Sequence, residues 1–249
     1  MKVGAPEAIK SLAQLMKSIF LRRTKDVLLN LPQKMEHAVV VQCSEKWEPC
    51  SRELHARFIR TFGRLRTSGE LWDPAEFFRQ LMMLRQFCNH PIFARADLPN
   101  QATWRWQDSS KVVHLIGRIE RTKAVIFSSF VAFLQIIGRA LEEHHIGFTW
   151  LTGALRVAQR DENLNTFRNN DSCNVLLASV EAAGVGIDLR CAQNVYIMEP
   201  SWNPASEFQA IDRLYRLGQE NSVFVYWYYL QQSLEMNIHQ VQRRKGELA

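Results

Sequence analysis

The chain has 249 residues, room for one large domain or for one domain and a smaller companion. With 47% hydrophobic and 22% charged residues, its composition is that of a folded globular protein and excludes a disordered or collagen-like chain. A net charge of +6 favours an anionic partner, while no apolar run reaches the roughly 18–20 residues that span a bilayer, which speaks against a membrane partner. No charged-then-apolar export signal opens the chain. Cys43, Cys50, Cys88, Cys173 and Cys191 are widely spaced and form no Cys-x-x-Cys pair. That spacing argues against structural disulfides and fits buried free thiols in a reducing compartment. Cys88 and His90 lack a second ligand pair, so no metal site is assigned.

In chain order, Ile9, Leu12, Leu15, Met16 and Ile19 recur at helical spacing and lead into the basic cluster Arg22-Arg23-Thr24-Lys25. Val39-Val40-Val41 reads as a short strand. Residues 44–91 read as two helices. The first carries Trp47, Leu54, Phe58, Phe62 and Leu65 on one side and stops at Gly69. The second starts at Asp73-Pro74-Ala75-Glu76, which supplies an N-cap, a first-turn proline and a capping-box glutamate, and ends at Pro91. Residues 94–109 are polar and irregular, a loop or linker.

From Ser110 onward, strands and helices alternate. Val125–Phe127, Phe148–Leu151, Val175–Ala178, Val195–Met198 and Val223–Tyr229 are runs of β-formers. Residues 133–144, 155–167, 204–217 and 234–244 have helical character. Strands apolar on both faces and separated by helices predict a parallel α/β sheet with right-handed crossovers and helices on both faces.

Asn203 suits an N-cap, Pro204 the first helical position and Gly218 a stop, so the spacing predicts a helix of about 3–4 turns over 204–217. Ala210, Ile211, Leu214 and Leu217 would face a core. Gln209, Arg213 and Arg216 fall at i, i+4 and i+7 and would share a second stripe. By residues alone that stripe reads as a solvated basic face with local ion pairs.

Further upstream, Ser128 and Ser129 stand at a strand's carboxyl end, the edge where open α/β sheets bind ligands, although Ser129 also suits a helix cap. Thr152-Gly153 follows the next strand, with Arg160 and Phe167 in the helix beyond. Arg160 suits either a phosphate contact or a structural role. Ser179 to Leu189 follows the strand Val175–Ala178, and Gly184 and Gly186 let backbone amides approach a ligand or a neighbouring helix. Leu189 stands where a dinucleotide fingerprint needs its third glycine, which argues against a nicotinamide-binding fold. Asp188 could accept from a ribose hydroxyl or hold the loop. No G-x-x-x-x-G-K-[ST] occurs, so no P-loop cradles phosphates.

Gln209-Ala210-Ile211-Asp212-Arg213-Leu214-Tyr215-Arg216-Leu217-Gly218-Gln219 resembles the last helicase motif of the SWI/SNF-type ATPases of helicase superfamily two, with Tyr215 where histidine is usual. The resemblance extends in order through Leu21–Lys25 with Leu31–Lys34, Leu84–Pro91, Lys123–Phe130, Leu151–Phe167, Ser179–Leu189 and Glu199–Pro204. Ser129 stands where the family has glutamine, Glu181 where it has a basic residue and Asp188 where it has asparagine.

The resemblance implies a RecA-like helicase C-terminal lobe over 110–249, a P-loop NTPase-type fold lacking the P-loop. It also implies a helical protrusion and loop over 44–109, and over 1–43 the tail of a first motor lobe with its linker. It implies a nuclear translocase or remodeller acting on double-stranded DNA or nucleosomes, fuelled by ATP with Mg2+ held mainly by an N-terminal RecA-like lobe of the same motor. By the same resemblance, Arg213 and Arg216 act as arginine fingers oriented by Gln209. Gly184, Gly186 and Asp188 line the nucleotide. Ser128, Ser129, Thr152, Gly153, Arg160 and Ser179 face the DNA backbone. A non-catalytic DNA- or protein-interaction module derived from such a lobe is the alternative, and the departures at Ser129, Glu181 and Tyr215 lend it support.

Overall fold

The computed structural model describes residues 6–19, 31–68, 73–97, 104–119, 122–184 and 186–246. The basic cluster at 22–25, the expected helix stop at Gly69 and part of the expected loop at 94–109 lie outside these residues.

A six-stranded, all-parallel sheet forms the centre. Its strands are β1 (Lys34–Val41), β2 (Ala124–Ser128), β3 (Gly147–Leu151), β4 (Cys173–Ser179), β5 (Asn194–Ile197) and β6 (Val223–Leu230), in the order β1-β6-β5-β2-β4-β3. Every residue of β2 and β5 is buried, as strands covered on both faces require. On one face, Val125, Phe127, Leu176, Ala178, Val195, Ile197, Val223 and Val225 pack beneath α6 (Val157–Asn169) and α7 (Pro204–Ile211). On the other, Ile126, Val175, Leu177, Tyr196 and Tyr228 pack against α4 (Ser110–Ile116) and α5 (Val131–Glu143). This is the parallel α/β architecture, helices on both faces, expected from the alternating strands and helices.

β1 lies in the segment expected to lead in from a preceding lobe, yet it pairs along its full length with β6, from Lys34 opposite Val223 to Val41 opposite Leu230. The sheet therefore draws its edge strand from far upstream of its other five. Residues Lys34, Glu36, His37, Ala38 and Val40 are exposed on that edge, which explains why the segment does not read as a core strand.

The helices α2 (Glu48–Ser68) and α3 (Pro74–Asn89) pack together through Leu54, Leu84 and Phe87, with Ala94 from the segment after α3 joining them. Asp73 caps α3 as its sequence position predicts, accepting from the Ala75 amide at 2.8 Å. Glu76 pairs with Arg79 and Gln80, where a reciprocal bond to the cap was expected. At the far end of the sheet, the Lys123 ammonium donates to the carbonyls of Phe167, Asn170 and Cys173 at 2.6, 3.1 and 3.3 Å. It thereby satisfies acceptors that the end of α6 leaves open, with a cation at the favourable pole of the helix. The amphipathic helix α1 (Pro6–Ile19) leaves Leu12, Leu15, Met16 and Ile19 exposed. Among the described residues, no helix is long and apolar enough to cross a membrane.

Candidate functional site

The carboxyl ends of adjacent strands bring the expected contact residues together. Ser128 and Ser179 are register partners at the ends of β2 and β4, and Thr152 follows β3 directly. The Val180 amide donates to the Ser128 carbonyl at 3.3 Å. Their hydroxyls, however, do not all face outward. Ser128 and Ser179 are 1% and 4% exposed. Ser179 Oγ accepts from the Ala182 amide at 3.3 Å. Ser128 Oγ donates to Glu199 at 2.9 Å and accepts from the Phe130 amide at 3.0 Å. The Ser128 side chain thus belongs to the interior, where the resemblance implied a DNA-facing hydroxyl. Thr152 is likewise buried, while Ser129 is half-buried and Gly153 exposed.

The carboxylate holding Ser128 is that of Glu199, which the sequence marks only as the first residue of the Glu199–Pro204 stretch. Glu199 lies just past β5 and is 4% exposed. It also accepts from the Ser129 amide and from Asn89 Nδ2 at 3.1 Å. Asn89 Oδ1 in turn accepts from Lys111 Nζ at 2.9 Å, and the same ammonium donates to the Met198 carbonyl at 2.7 Å and to Glu235 at 2.6 Å. Lys111 and Glu235 have side-chain exposures of 0% and 1%. Arg85 adds a bond to the Pro200 carbonyl at 3.0 Å, and its guanidinium lies 5.4 and 5.8 Å from the ring centres of Phe130 and Trp202. Burial pushes the Glu199 carboxyl up to about 7 and raises that of Glu235, opposed in both by Lys111. The network fastens α3 to the sheet and to α8 (Leu234–Gly246). Its one sequence signal is charge inside apolar text, as in Ile197-Met198-Glu199-Pro200.

The arginine-bearing segment differs from the long helix expected. Asn203 caps α7, accepting from the Ala205 amide at 3.2 Å, and Pro204 opens it. The helix ends at Ile211, and residues 212–218 form successive turns closed by Gly218 at φ 88°. Partners from outside the helix meet the carbonyls of this turn. Arg213 O accepts from the Leu189 amide at 3.1 Å, Leu214 O from Gln219 Nε2 at 3.2 Å, and Leu217 O from Arg190 Nη1 at 3.1 Å. Gln209, Arg213 and Arg216 therefore do not form one helical stripe. Gln209 and Arg216 are exposed and Arg213 is half-buried. Ala210, Ile211 and Leu214 are buried as expected, but Leu217 is 66% exposed.

The loop between β4 and β5 meets that turn. Arg213 Nε donates to the Ala183 carbonyl at 3.0 Å, and Arg160 Nη2, from α6, donates to the Ala182 carbonyl at 3.1 Å. Gly186 sits at φ 64° with open space around the position of an added Cβ. Asp188 receives Arg190 through Nε at 2.9 Å, Nη2 at 2.6 Å and the backbone amide at 3.1 Å, which holds its carboxyl down at about 2. Its carbonyl accepts from Arg168 Nη2 at 2.8 Å. Arg168 and Arg190 are loop-holding residues that the sequence reading did not single out, since neither stands in a motif. Among the described residues, no group of three or more His, Cys, Asp or Glu side chains is arranged to hold a metal ion.

Two family models match the chain: the helicase conserved C-terminal domain over residues 107–218 and the SNF2-related domain over residues 1–93. DNA repair protein rad8 of Schizosaccharomyces pombe is 41% identical over 150 residues, which cover 57% of this chain and 13% of that protein. DNA repair protein RAD5A of Arabidopsis thaliana is 37% identical over 205 residues, 80% of this chain and 19% of that protein. Helicase-like transcription factor of Homo sapiens is 33% identical over 162 residues, 61% and 16% respectively. The chain thus spans less than a fifth of the length of these relatives. Among solved structures, the Sulfolobus solfataricus SWI2/SNF2 ATPase core in complex with dsDNA superposes with a TM-score of 0.70 at 27% identity, covering 98% of this chain and 52% of that one. The C-terminal part of the Fun30 ATPase domain shares the fold, with a TM-score of 0.72 at 22% identity over 85% of this chain and 90% of that one.

Proposed function

Because the chain belongs to the SWI/SNF-type helicase-like ATPases and spans their C-terminal region, we propose that it is the second lobe of an ATP-driven translocase on double-stranded DNA, of the DNA-repair or remodelling kind. In this reading an N-terminal RecA-like lobe of the same motor holds ATP with Mg2+, and the present chain supplies side chains across the cleft between them. ATP supplies the phosphoryl group whose transfer to water drives the cleft through its cycle. Arg216, exposed on its turn, and Arg213, steadied through Nε, offer guanidinium charge to that group, a contribution of roughly 10³–10⁵ in rate where arginine fingers operate. Gln209 orients them. Open space at Gly186 lets a nucleotide approach the backbone, and Asp188 serves by holding the loop. Ser129 through its side chain and Gly153 through its backbone meet DNA at the strand ends, contacts that are sequence-indifferent and salt-dependent. The place of action is the nucleus, and nucleosomes are among the substrates.

One observation carries the reading: a turn bearing Arg213 and Arg216 braced on the 179–189 loop at the carboxyl edge of the sheet, in a chain alignable over 98% of its length with a DNA-bound ATPase core. Steady-state ATP hydrolysis with duplex DNA tests it. The 249 residues alone are expected to be silent. Joined to a P-loop lobe they should hydrolyse ATP, and Arg213→Ala or Arg216→Ala should abolish turnover while nucleotide still binds. Turnover by the chain alone, or wild-type turnover in both variants, overturns the reading. DNA binding without turnover in the joined protein favours a non-catalytic interaction module, consistent with the departures at Glu181, Ser129 and Tyr215.

A further inference from the structure

We infer that Arg160 is a positioning residue acting through the 179–184 loop on Arg213, and is not a DNA-phosphate contact. This deepens the reading above and rests on it for the task given to Arg213. Arg160 and Arg213 come from separate elements, α6 and the turn beyond α7, yet their guanidiniums take neighbouring carbonyls, Ala182 at 3.1 Å and Ala183 at 3.0 Å. Arg160 is half-buried, and its Nε is a buried donor with no partner among the described residues. A guanidinium with one nitrogen spent inward and another desolvated is committed to the interior, since a phosphate ligand would claim the fork from the solvent side.

The side chains of Val180, Ala182 and Ala183 pack into the core, but few bonds hold the backbone of the loop. Val180 N bonds to Ser128 O and Ala182 N to Ser179 Oγ, both at 3.3 Å. The segment then passes to Gly186 at positive φ. Two charge-assisted bonds on successive peptides therefore set where Ala183 O stands, and Ala183 O anchors Arg213 Nε. Arg160 and Arg213 hold one short strut from opposite ends, so the edge of the sheet bearing β3 and α6 is mechanically joined to the arginine-bearing turn.

Hydrogen exchange by mass spectrometry on the 249-residue chain, with fluorescence anisotropy on a 20-bp duplex across a salt series, tests this. Arg160→Ala should speed exchange at residues 180–184 by about 10- to 100-fold, the worth of a bond from a charged donor. The β4 amides 175–178 should be unchanged, and the salt slope of duplex binding should stay as in wild type. Arg160→Lys, which can still donate to Ala182 O, should restore most of the protection. Adding Arg213→Ala to Arg160→Ala should add less than the two single effects combined. Unchanged exchange at 180–184, additive effects, or a salt slope reduced by about one phosphate contact would each overturn the inference. If the wild-type chain binds no duplex at any salt, the DNA reading fails, and the exchange comparison still decides the role of Arg160.

Discussion

Replacing Gly218 with alanine probes the brace between the arginine-bearing turn and the 188–192 segment. Gly218 has φ 88°, a conformation that costs an L-residue roughly 1–2 kcal/mol. An added Cβ would stand 2.1 Å from Arg190 Nη1. That nitrogen is the tip of a flexible side chain and will swing away, giving up its bond to the Leu217 carbonyl. That bond is solvent-exposed, so its loss adds only a small part to the cost. The backbone strain sets the cost at about 1–2 kcal/mol, equivalent to a Tm fall of roughly 2–8 °C for a chain of this size. Thermal denaturation of the 249-residue chain followed by circular dichroism provides the measurement. Arg190→Ala should lower Tm less than Gly218→Ala, and the double variant should lose only the backbone strain beyond Arg190→Ala, because the clash is gone. A Tm change below about 1 °C for Gly218→Ala, or strict additivity in the double variant, would refute the brace.

Three further outcomes follow from the buried charges and the core. Lys111→Met leaves Glu235 without its partner in a site 1% exposed and should cost about 3–5 kcal/mol; Lys111→Met with Glu235→Leu should recover part of it, both read by urea denaturation. Glu199 has its folded-state pKa raised from 4.5 to about 7, so its burial penalty is absent below pH 4.5 and grows until pH passes 7. The stability of Glu199→Gln relative to wild type should therefore rise by up to about 3 kcal/mol between pH 4.5 and pH 8, and a flat difference would show that the carboxyl does not titrate in that window. Phe133→Ala opens a cavity beneath α5 in a fully buried cluster and should cost about 3–5 kcal/mol, checked by the same denaturation, whereas Phe78→Ala on the exposed face of α3 should change stability by less than about 1 kcal/mol.

By itself the sequence determined the class of fold, because strands buried on both faces must be continuous apolar runs, as Ala124–Phe127, Val175–Ala178 and Val195–Ile197 are. It also determined where α3 and α7 begin, since Asp73 and Asn203 followed by proline satisfy their helix starts with local atoms. What it left undecided depends on atoms far apart in the chain. Past Ile211 the turn is held by Leu189 and Arg190 on the carbonyls of Arg213 and Leu217, and periodicity within 204–217 carries no trace of them. β1 is a strand of this sheet because β6, nearly two hundred residues later, offers it an edge. Lys111, Glu199 and Glu235 are interior because α3, α4, α8 and the end of β5 close around them. A charged residue announces its partner only once tertiary packing has excluded water from both. The same holds for Arg160 and Arg213: the sequence marks them as cations, and the folded loop between them decides that each spends a nitrogen on a neighbouring carbonyl.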